Sequence, residues 1–354
     1  MADRTDRIRI AVDAMGGDNA PGAIVDGVVA AVNAHSELGV ILVGKQEQIA
    51  SCLNGKTYPK GRIRVQNAEE VIETSEHPVN AVRRKKDSSM VVGLQLVRKG
   101  EAEAFVSAGN SGAVMVGGQA IVGRVRGVKR PPFACIVPTR EGSMLLLDSG
   151  ANVDARPEHL AQWARMGTLY MQGAAGVKEP RVGIVNIGAE AEKGNALVQE
   201  TFPLLKAMDE RGEIRFTGSL EARDIPEGGC DVAVCDGFTG NVVIKMYEGT
   251  AKTLLSEVKA GLMSTLVSKI GGLLIKGALK NTLAKYDTSR YGGAPILGLK
   301  QLVVKMHGSA KAAEVERAME QCIQFYREDI ASKIEAVAVE TEKAPADSRA
   351  SEKE

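Results

Sequence analysis

Ile8-Arg-Ile-Ala-Val-Asp13-Ala-Met-Gly-Gly-Asp18 reads as a buried strand that stops at a small, acidic loop. Consecutive aliphatic side chains suit a strand covered on both faces, and the glycines that follow free the backbone to turn away. The same grammar recurs at Val40-Ile-Leu-Val43, Ala104-Phe-Val-Ser107, Ala134-Cys-Ile-Val137, Met144-Leu-Leu-Leu147, Val182-Gly-Ile-Val185 and Asp231-Val-Ala-Val234. Helical periodicity fills intervals between them at 23–32, 79–97, 159–171 and 196–208. Strands alternating with helices predict an α/β fold with a doubly wound, mostly parallel sheet. Turn-like segments at Arg130-Pro-Pro-Phe133 and Thr139-Arg-Glu-Gly142 predict a hairpin near the middle of that sheet, which makes it mixed. We read 1–340 as a single catalytic domain, closed by an amphipathic helix over 310–339. Residues 341–354, rich in Lys, Glu, Ala, Ser and Pro, read as a disordered tail.

The composition excludes several classes of function. Across 354 residues, 45 Lys and Arg stand against 44 Asp and Glu, so no global field attracts nucleic acid, and 4% aromatics leave little to stack on bases. Five cysteines (Cys52, Cys135, Cys230, Cys235 and Cys322) are scattered without a C-x-x-C pair. That argues against a disulfide framework or a zinc site and fits a reducing cytoplasm. Met1 to Arg9 is charged and lacks the apolar centre of a signal peptide, and no uninterrupted apolar run is long enough to span a bilayer. No cofactor is expected, and no cluster has metal-ligand spacing.

In an open α/β sheet, ligands bind outside the carboxyl ends of the strands. There the sequence concentrates Gly, Asn, Asp and Ser: Asp13 to Asp18, Ser107-Ala-Gly-Asn-Ser-Gly112, Leu147-Asp-Ser-Gly-Ala-Asn152, Asn186-Ile-Gly188 with Glu190 and Lys193-Gly-Asn195, and Asp236-Gly-Phe-Thr-Gly-Asn241. Such loops bring backbone donors close to a compact anion. Familiar nucleotide signatures fail. Gly55-Lys56-Thr57 imitates the end of a Walker A loop, but Ala50 replaces its first glycine; Asp13 to Asp18 lacks G-x-G-x-x-G order. A stronger rival is Gly109-Asn-Ser111-Gly-Ala113, placed like a nucleophile elbow with Ala113 in place of the last glycine. Asp148 or Asp236, then His307, would complete a Ser, Asp, His order, so an acyl hydrolase or acyl-enzyme transferase through Ser111 stays open. Helix capping or anion binding is the plainer role for Ser111.

Seven motifs in order, Ala11 to Pro21, Ser107 to Ala113, Leu147 to Asn152, Asn186 to Asn195, Cys235 to Asn241, Tyr291-Gly-Gly-Ala-Pro295 and Lys305-Met-His-Gly308, resemble the acyl-ACP:phosphate acyltransferase family of bacterial phospholipid synthesis. The resemblance covers residues 8–339. It implies a three-layer α/β/α fold similar to phosphotransacetylases, a homodimer, and the conversion of acyl-ACP plus inorganic phosphate into acyl phosphate plus holo-ACP. The residues agree with this chemistry. Phosphate is itself an oxygen nucleophile, so the site needs aligned donors and positive charge more than a strong base. Lys193, just before a helix start, is a candidate to hold phosphate or the oxyanion; Asp236 is a candidate to orient it, and His307 to protonate the departing thiolate. Gly16, Gly17, Asp18, Asn110, Ser111, Gly112, Asn186, Asn195 and Asn241 are the candidate substrate-binding residues, with Asp13 and Asp148 fixing loops.

Acyl carrier protein is acidic. Arg83-Arg-Lys-Lys86 and Arg124-Val-Arg-Gly-Val-Lys-Arg130 are the densest basic clusters available to meet it. Residues 251–285 carry six lysines against one glutamate, interleaved with aliphatic residues that include Leu262, Leu266, Ile270, Leu273 and Leu274. The pattern predicts a protruding helical hairpin, apolar on one side and basic on the other, which suits either an anionic membrane surface or a dimer interface. The family's position upstream of a membrane glycerol-phosphate acyltransferase favours the membrane.

Overall fold

A computed structural model describes residues 8–286 and 291–343. The chain divides into two compact units, one of Met1–Pro131, Gln172–Gly176 and Pro295–Glu354, the other of Pro132–Met171 and Val177–Ala294. The chain begins with β1 (Ile8–Asp13), α1 (Gly22–Ala34), β2 (Leu38–Gly44), α2 (Gln46–Leu53), β3 (Ile63–Asn67), α3 (Pro78–Arg84), α4 (Ser89–Arg98), β4 (Ala104–Ser107) and α5 (Ser111–Gly117), which continues as a π-helical turn to Val122. Next come β5 (Cys135–Thr139), β6 (Gly142–Leu147), α6 (Pro157–Ala174), β7 (Arg181–Asn186), α7 (Ala196–Glu210), β8 (Arg215–Glu221), β9 (Val232–Val234), α8 (Gly237–Leu262) and α9 (Leu266–Leu283). It closes with β10 (Ala294–Pro295), β11 (Leu302–Lys305), α10 (Ala312–Arg327) and α11 (Ile330–Lys343). Most of the segment read as a tail, 344–354, lies outside the described residues.

The strands fall into two sheets. One has the order β10-β11-β4-β1-β2-β3, with β11, β4, β1, β2 and β3 paired in parallel. The other has the order β5-β6-β9-β7-β8 and is parallel except for the antiparallel β5–β6 pair. The α/β, parallel-dominated architecture expected from the sequence is present. The expected hairpin is β5–β6, but it forms the edge of the second sheet and not its middle. Apolar runs report that a strand is covered, not which strand lies beside it.

Helices cover each sheet through apolar stripes. In α10, Val315, Ala318, Met319, Cys322 and Ile323 are buried, and α1 packs against this helix at Gly27, where a Cβ would collide with the carbonyl of Ala312 and the Val315 side chain. In the second unit Met144, Leu146, Ala233, Cys230 and Leu220 belong to one buried hydrophobic core.

Candidate functional site

In the first unit, β1, β4 and β11 run parallel and end on Asp13, Ser107 and Lys305. The Ser107 hydroxyl donates to Asp13 Oδ2 (2.7 Å), and the backbone N–H of Met15 donates to Asp13 Oδ1 (3.1 Å). Burial pushes the Asp13 carboxyl above its ordinary range despite these donors. Lys305 donates to the carbonyls of Met306 and Ala108 (the latter 3.4 Å), and burial lowers its ammonium to about 8 against the pull of Asp13 and Asp18. Charge is thus held beneath the loops that follow these strands.

Those loops meet closely. A Cβ on Gly16 would lie 2.5 Å from Asp13 Oδ2 and 2.7 Å from the Gly109 nitrogen; one on Gly17, whose φ is +98°, would lie 2.8 Å from both Ala108 Cβ and the Gly308 carbonyl. The Asp18 N–H donates to the carbonyl of Gly308 (2.7 Å), and Asn19 Nδ2 to that of Ser309 (2.9 Å). Gly16, Gly17, Asp18, Ser111, Gly112 and His307 therefore belong to one loop cluster. Asn110 belongs to it as a brace. Its Oδ1 caps α5 by accepting from the Ala113 N–H (3.0 Å), and its Nδ2 faces the carbonyls of Glu73, Thr74 and Glu76 (3.2, 3.0 and 3.0 Å). With its amide committed, Asn110 shapes the loop.

Ser111 is exposed at the first position of α5, and within its unit no imidazole or carboxylate accepts from its hydroxyl among the described residues. His307 is also exposed and turns to Ser309, whose N–H donates to Nδ1 (3.3 Å) and whose hydroxyl lies 2.8 Å from it. A backbone donor on Nδ1 places the proton of the neutral ring on Nε2.

In the second unit, Asn186 ends β7, and Asp148 and Asp236 follow β6 and β9. Asp148 is fully buried and accepts from the N–H groups of Phe133 (2.8 Å), Gly150 (3.3 Å), Ala151 (3.2 Å) and Asn152 (2.5 Å) and from Asn152 Nδ2 (2.9 Å). Burial still pushes its carboxyl upward. Asp236 caps α8, accepting from the N–H (2.9 Å) and hydroxyl (2.7 Å) of Thr239. Gly237 and Gly240 press on the backbone of Asn152 and Asp148, and Asn241 Nδ2 reaches the carbonyl of Ser149 (3.4 Å). Asn186 Nδ2 donates to the Lys193 carbonyl (3.1 Å) and to Ser219 (3.0 Å), and Asn195 caps α7 through Val198 (3.0 Å).

Lys193 and Asp236 are not partners in the structure. The exposed Lys193 pairs with Glu190 (3.0 Å) and holds that carboxyl below its usual range, so the anion beside the α7 start is Glu190. Asp236 is occupied with Thr239. The contribution missed in the sequence is Lys305, whose place at a strand end follows only from recognising Leu302-Val-Val-Lys305 as a strand. Lys56, in the Walker-like decoy, pairs with Asp26 (2.5 Å). Among the described residues no group of three or more His, Cys, Asp or Glu could hold a metal ion.

The second unit also carries the hairpin. Leu266, Ile270, Leu273 and Leu274 are exposed by 63–80%, and no residue of α9 is buried. Leu262, at the end of α8, is half-buried and faces Gly272 of α9, where an added Cβ would lie 3.5 Å from it, an ordinary contact. Among the described residues no helix is long and apolar enough to cross a membrane.

Comparison with known proteins places these observations. A model of a family described as "Fatty acid synthesis protein" matches residues 8–333. A protein named phosphate acyltransferase from Clostridium botulinum (strain Alaska E43 / Type E3) is 45% identical over 328 residues, 92% of this chain and 98% of the relative. One of the same name from Clostridium tetani is 44% identical, covering 94% of this chain and 99% of its own length. Among solved structures, a phosphotransacetylase from Staphylococcus aureus superposes with a TM-score of 0.58 at 15% identity over 90% of this chain and 94% of its own. Another from Streptococcus pyogenes gives 0.57 at 17%, covering 94% of each chain. The fold is phosphotransacetylase-like.

Proposed function

Because the chain belongs to the fatty acid synthesis protein family, whose relatives above bear the name phosphate acyltransferase, we propose that it transfers a long-chain fatty acyl group from acyl-ACP to inorganic phosphate. The product is acyl phosphate for phospholipid synthesis. A phosphate oxygen attacks the thioester carbonyl, the carbon–sulfur bond breaks, and the thiolate leaves with a proton. Aligned backbone donors stabilise the oxyanion.

The observation that supports direct attack over an acyl-enzyme is the setting of Ser111. Among the described residues of its unit it has no base beside it, while His307, whose Nδ1 is held by Ser309, is assigned to give the thiolate a proton from Nε2 as the imidazolium and to take one back from the attacking hydrogen phosphate. Ser111, Gly16, Gly17, Asp18 and Gly112 are assigned to anion binding in the first unit. Lys193, Asp236, Asn195 and Asn241 are assigned to substrate in the second, with Asn110 and Asn186 shaping their loops.

The test is to incubate the protein with palmitoyl-ACP with and without inorganic phosphate and to trap acyl phosphate with hydroxylamine. Acyl hydroxamate should form only with phosphate, and Ser111→Ala should retain activity within about tenfold, the loss of a hydrogen bond and not of a nucleophile. Thioester loss without phosphate that Ser111→Ala abolishes would establish the acyl-enzyme route instead.

The chain is further assigned to the cytoplasm as a homodimer that touches the membrane through α8 and α9 and hands its product to a membrane glycerol-phosphate acyltransferase. The uncovered apolar stripe of α9 supports the membrane contact.

A further inference from the structure

A groove of about 630 Å³ lies in the first unit between α3, α4 and α5 with its π-helical continuation. Its floor is aliphatic, built from Val79, Val82, Val91, Val116 and Ile121, and its rim carries Arg83, Lys86, Arg98 and Lys99. No carboxylate lines it. All four cations are exposed and none has an acidic partner among the described residues; Lys86 only donates to the Val82 carbonyl (3.2 Å). By contrast Lys85, in the same basic run, is tied to Glu76 (2.7 Å) and to the Val71 carbonyl (2.6 Å). In the other basic run, Arg124 donates to the Lys129 carbonyl (2.5 Å), and Arg126, Lys129 and Arg130 have partners of their own.

We propose that this groove docks the acyl carrier protein, taking an acidic amphipathic helix whose apolar face lies on the valine floor and whose carboxylates meet the four rim cations. The inference rests on acyl-ACP being the donor. Two features favour this occupant. Unpaired cations around an apolar floor are the complement of an acidic amphipathic helix. The groove also begins beside the loop cluster: Gly112 packs on Pro78, the neighbour of Val79, and Val116 lies one helical turn beyond Gly112. A carrier seated there has its thioester arm next to Ser111 and Gly112.

The experiment compares Arg83→Glu/Lys86→Glu, Arg98→Glu/Lys99→Glu and Val79→Ser with the unaltered protein. One readout is turnover of palmitoyl-ACP and of palmitoyl-phosphopantetheine, the same thioester without its protein. The other is direct binding of fluorescently labelled holo-ACP. Each charge reversal should raise the KM for palmitoyl-ACP and weaken holo-ACP binding by roughly ten- to a hundredfold at low salt, an effect that shrinks as salt rises. Val79→Ser should weaken both by a smaller factor, and the KM for phosphate and turnover of the small thioester should stay unchanged. Equal loss on both thioesters, unchanged holo-ACP binding, loss of anionic-vesicle binding with normal holo-ACP binding, or a changed oligomeric state in place of changed holo-ACP binding would each overturn the proposal. If the unaltered protein binds holo-ACP through this groove yet forms no acyl phosphate, the docking stands and the reaction assignment fails.

Discussion

Lys305 stands where three parallel strands end, its ammonium near Asp13 and bonded to the carbonyls that begin two site loops. Burial lowers it to about 8 and raises Asp13, so charge on either is held at a cost that an arriving phosphate can reduce by pairing with the lysine. The direction follows: above about pH 8 the lysine loses its proton, the positive potential under the loops falls, and phosphate binds less well. We expect kcat/KM for phosphate to decline through that pH. Lys305→Met should raise the KM for phosphate by about tenfold or more, the loss of one charge-assisted contact. Lys305→Arg, charged throughout, should remove the decline; a decline that survives in this variant would assign it to another group. Linkage gives the matching sign for stability. A lysine lowered on folding opposes the folded state most below about pH 8, and that opposition fades as pH rises toward its unfolded value. Little of this was legible in the sequence. Lys193 drew attention because it precedes a visible helix start, whereas Lys305 acquires its setting from strands distant in the chain. The asparagines were legible as site residues but not in their roles, because the same amide caps a helix or meets a ligand, and only its partners decide.

Elements explain which strands were readable. Those recognised in the sequence are buried along most of their length; β3 and β8 are edge strands, half-covered, with polar residues interleaved. Arg64 and Gln66 in β3, and Arg215, Thr217 and Ser219 in β8, break the aliphatic run by which the covered strands were read. Helix contacts were hidden in another way. Gly27 in α1 looks like a weak helix former, yet it is the point where α1 and α10 touch. Ala at this position has better helix propensity by about 1 kcal/mol but must push α10 away. Since the added carbon meets a backbone carbonyl and a buried Cβ, we expect Gly27→Ala to destabilise the protein by about 1–3 kcal/mol, read as a lowered urea midpoint. A midpoint that rises would mean that α10 yields at no cost and that propensity decides.

At the scale of the whole molecule, a net charge of +1 gives no long-range attraction to an anionic surface, so membrane contact has to be local. The α8–α9 pair supplies both forces that such contact needs. Leu266, Ile270, Leu273 and Leu274 share a stripe at helical spacing, and Lys269, Lys276 and Lys280 line up along one edge of it, all exposed. A helix placed this way buries its stripe at the headgroup boundary while the lysines reach anionic headgroups. A dimer interface would use the same stripe but would have to bring the lysines of two copies together or pair them with acids, of which 251–285 holds only Glu257. The two readings therefore separate by salt and by lipid. The unaltered protein should float with vesicles containing anionic lipid, less so as salt rises, and only weakly with neutral vesicles. Leu273→Glu puts a carboxylate in the centre of the stripe, where the native side chain is 71% exposed, so the fold itself should be untouched. Flotation of this variant should fall by about tenfold or more while turnover of palmitoyl-ACP in solution is retained, because the substitution opposes burial of the stripe and repels the anionic surface. Flotation equal to that of the unaltered protein would remove the hairpin from the membrane; a shift from dimer to monomer, with flotation kept, would assign the stripe to the interface between two copies.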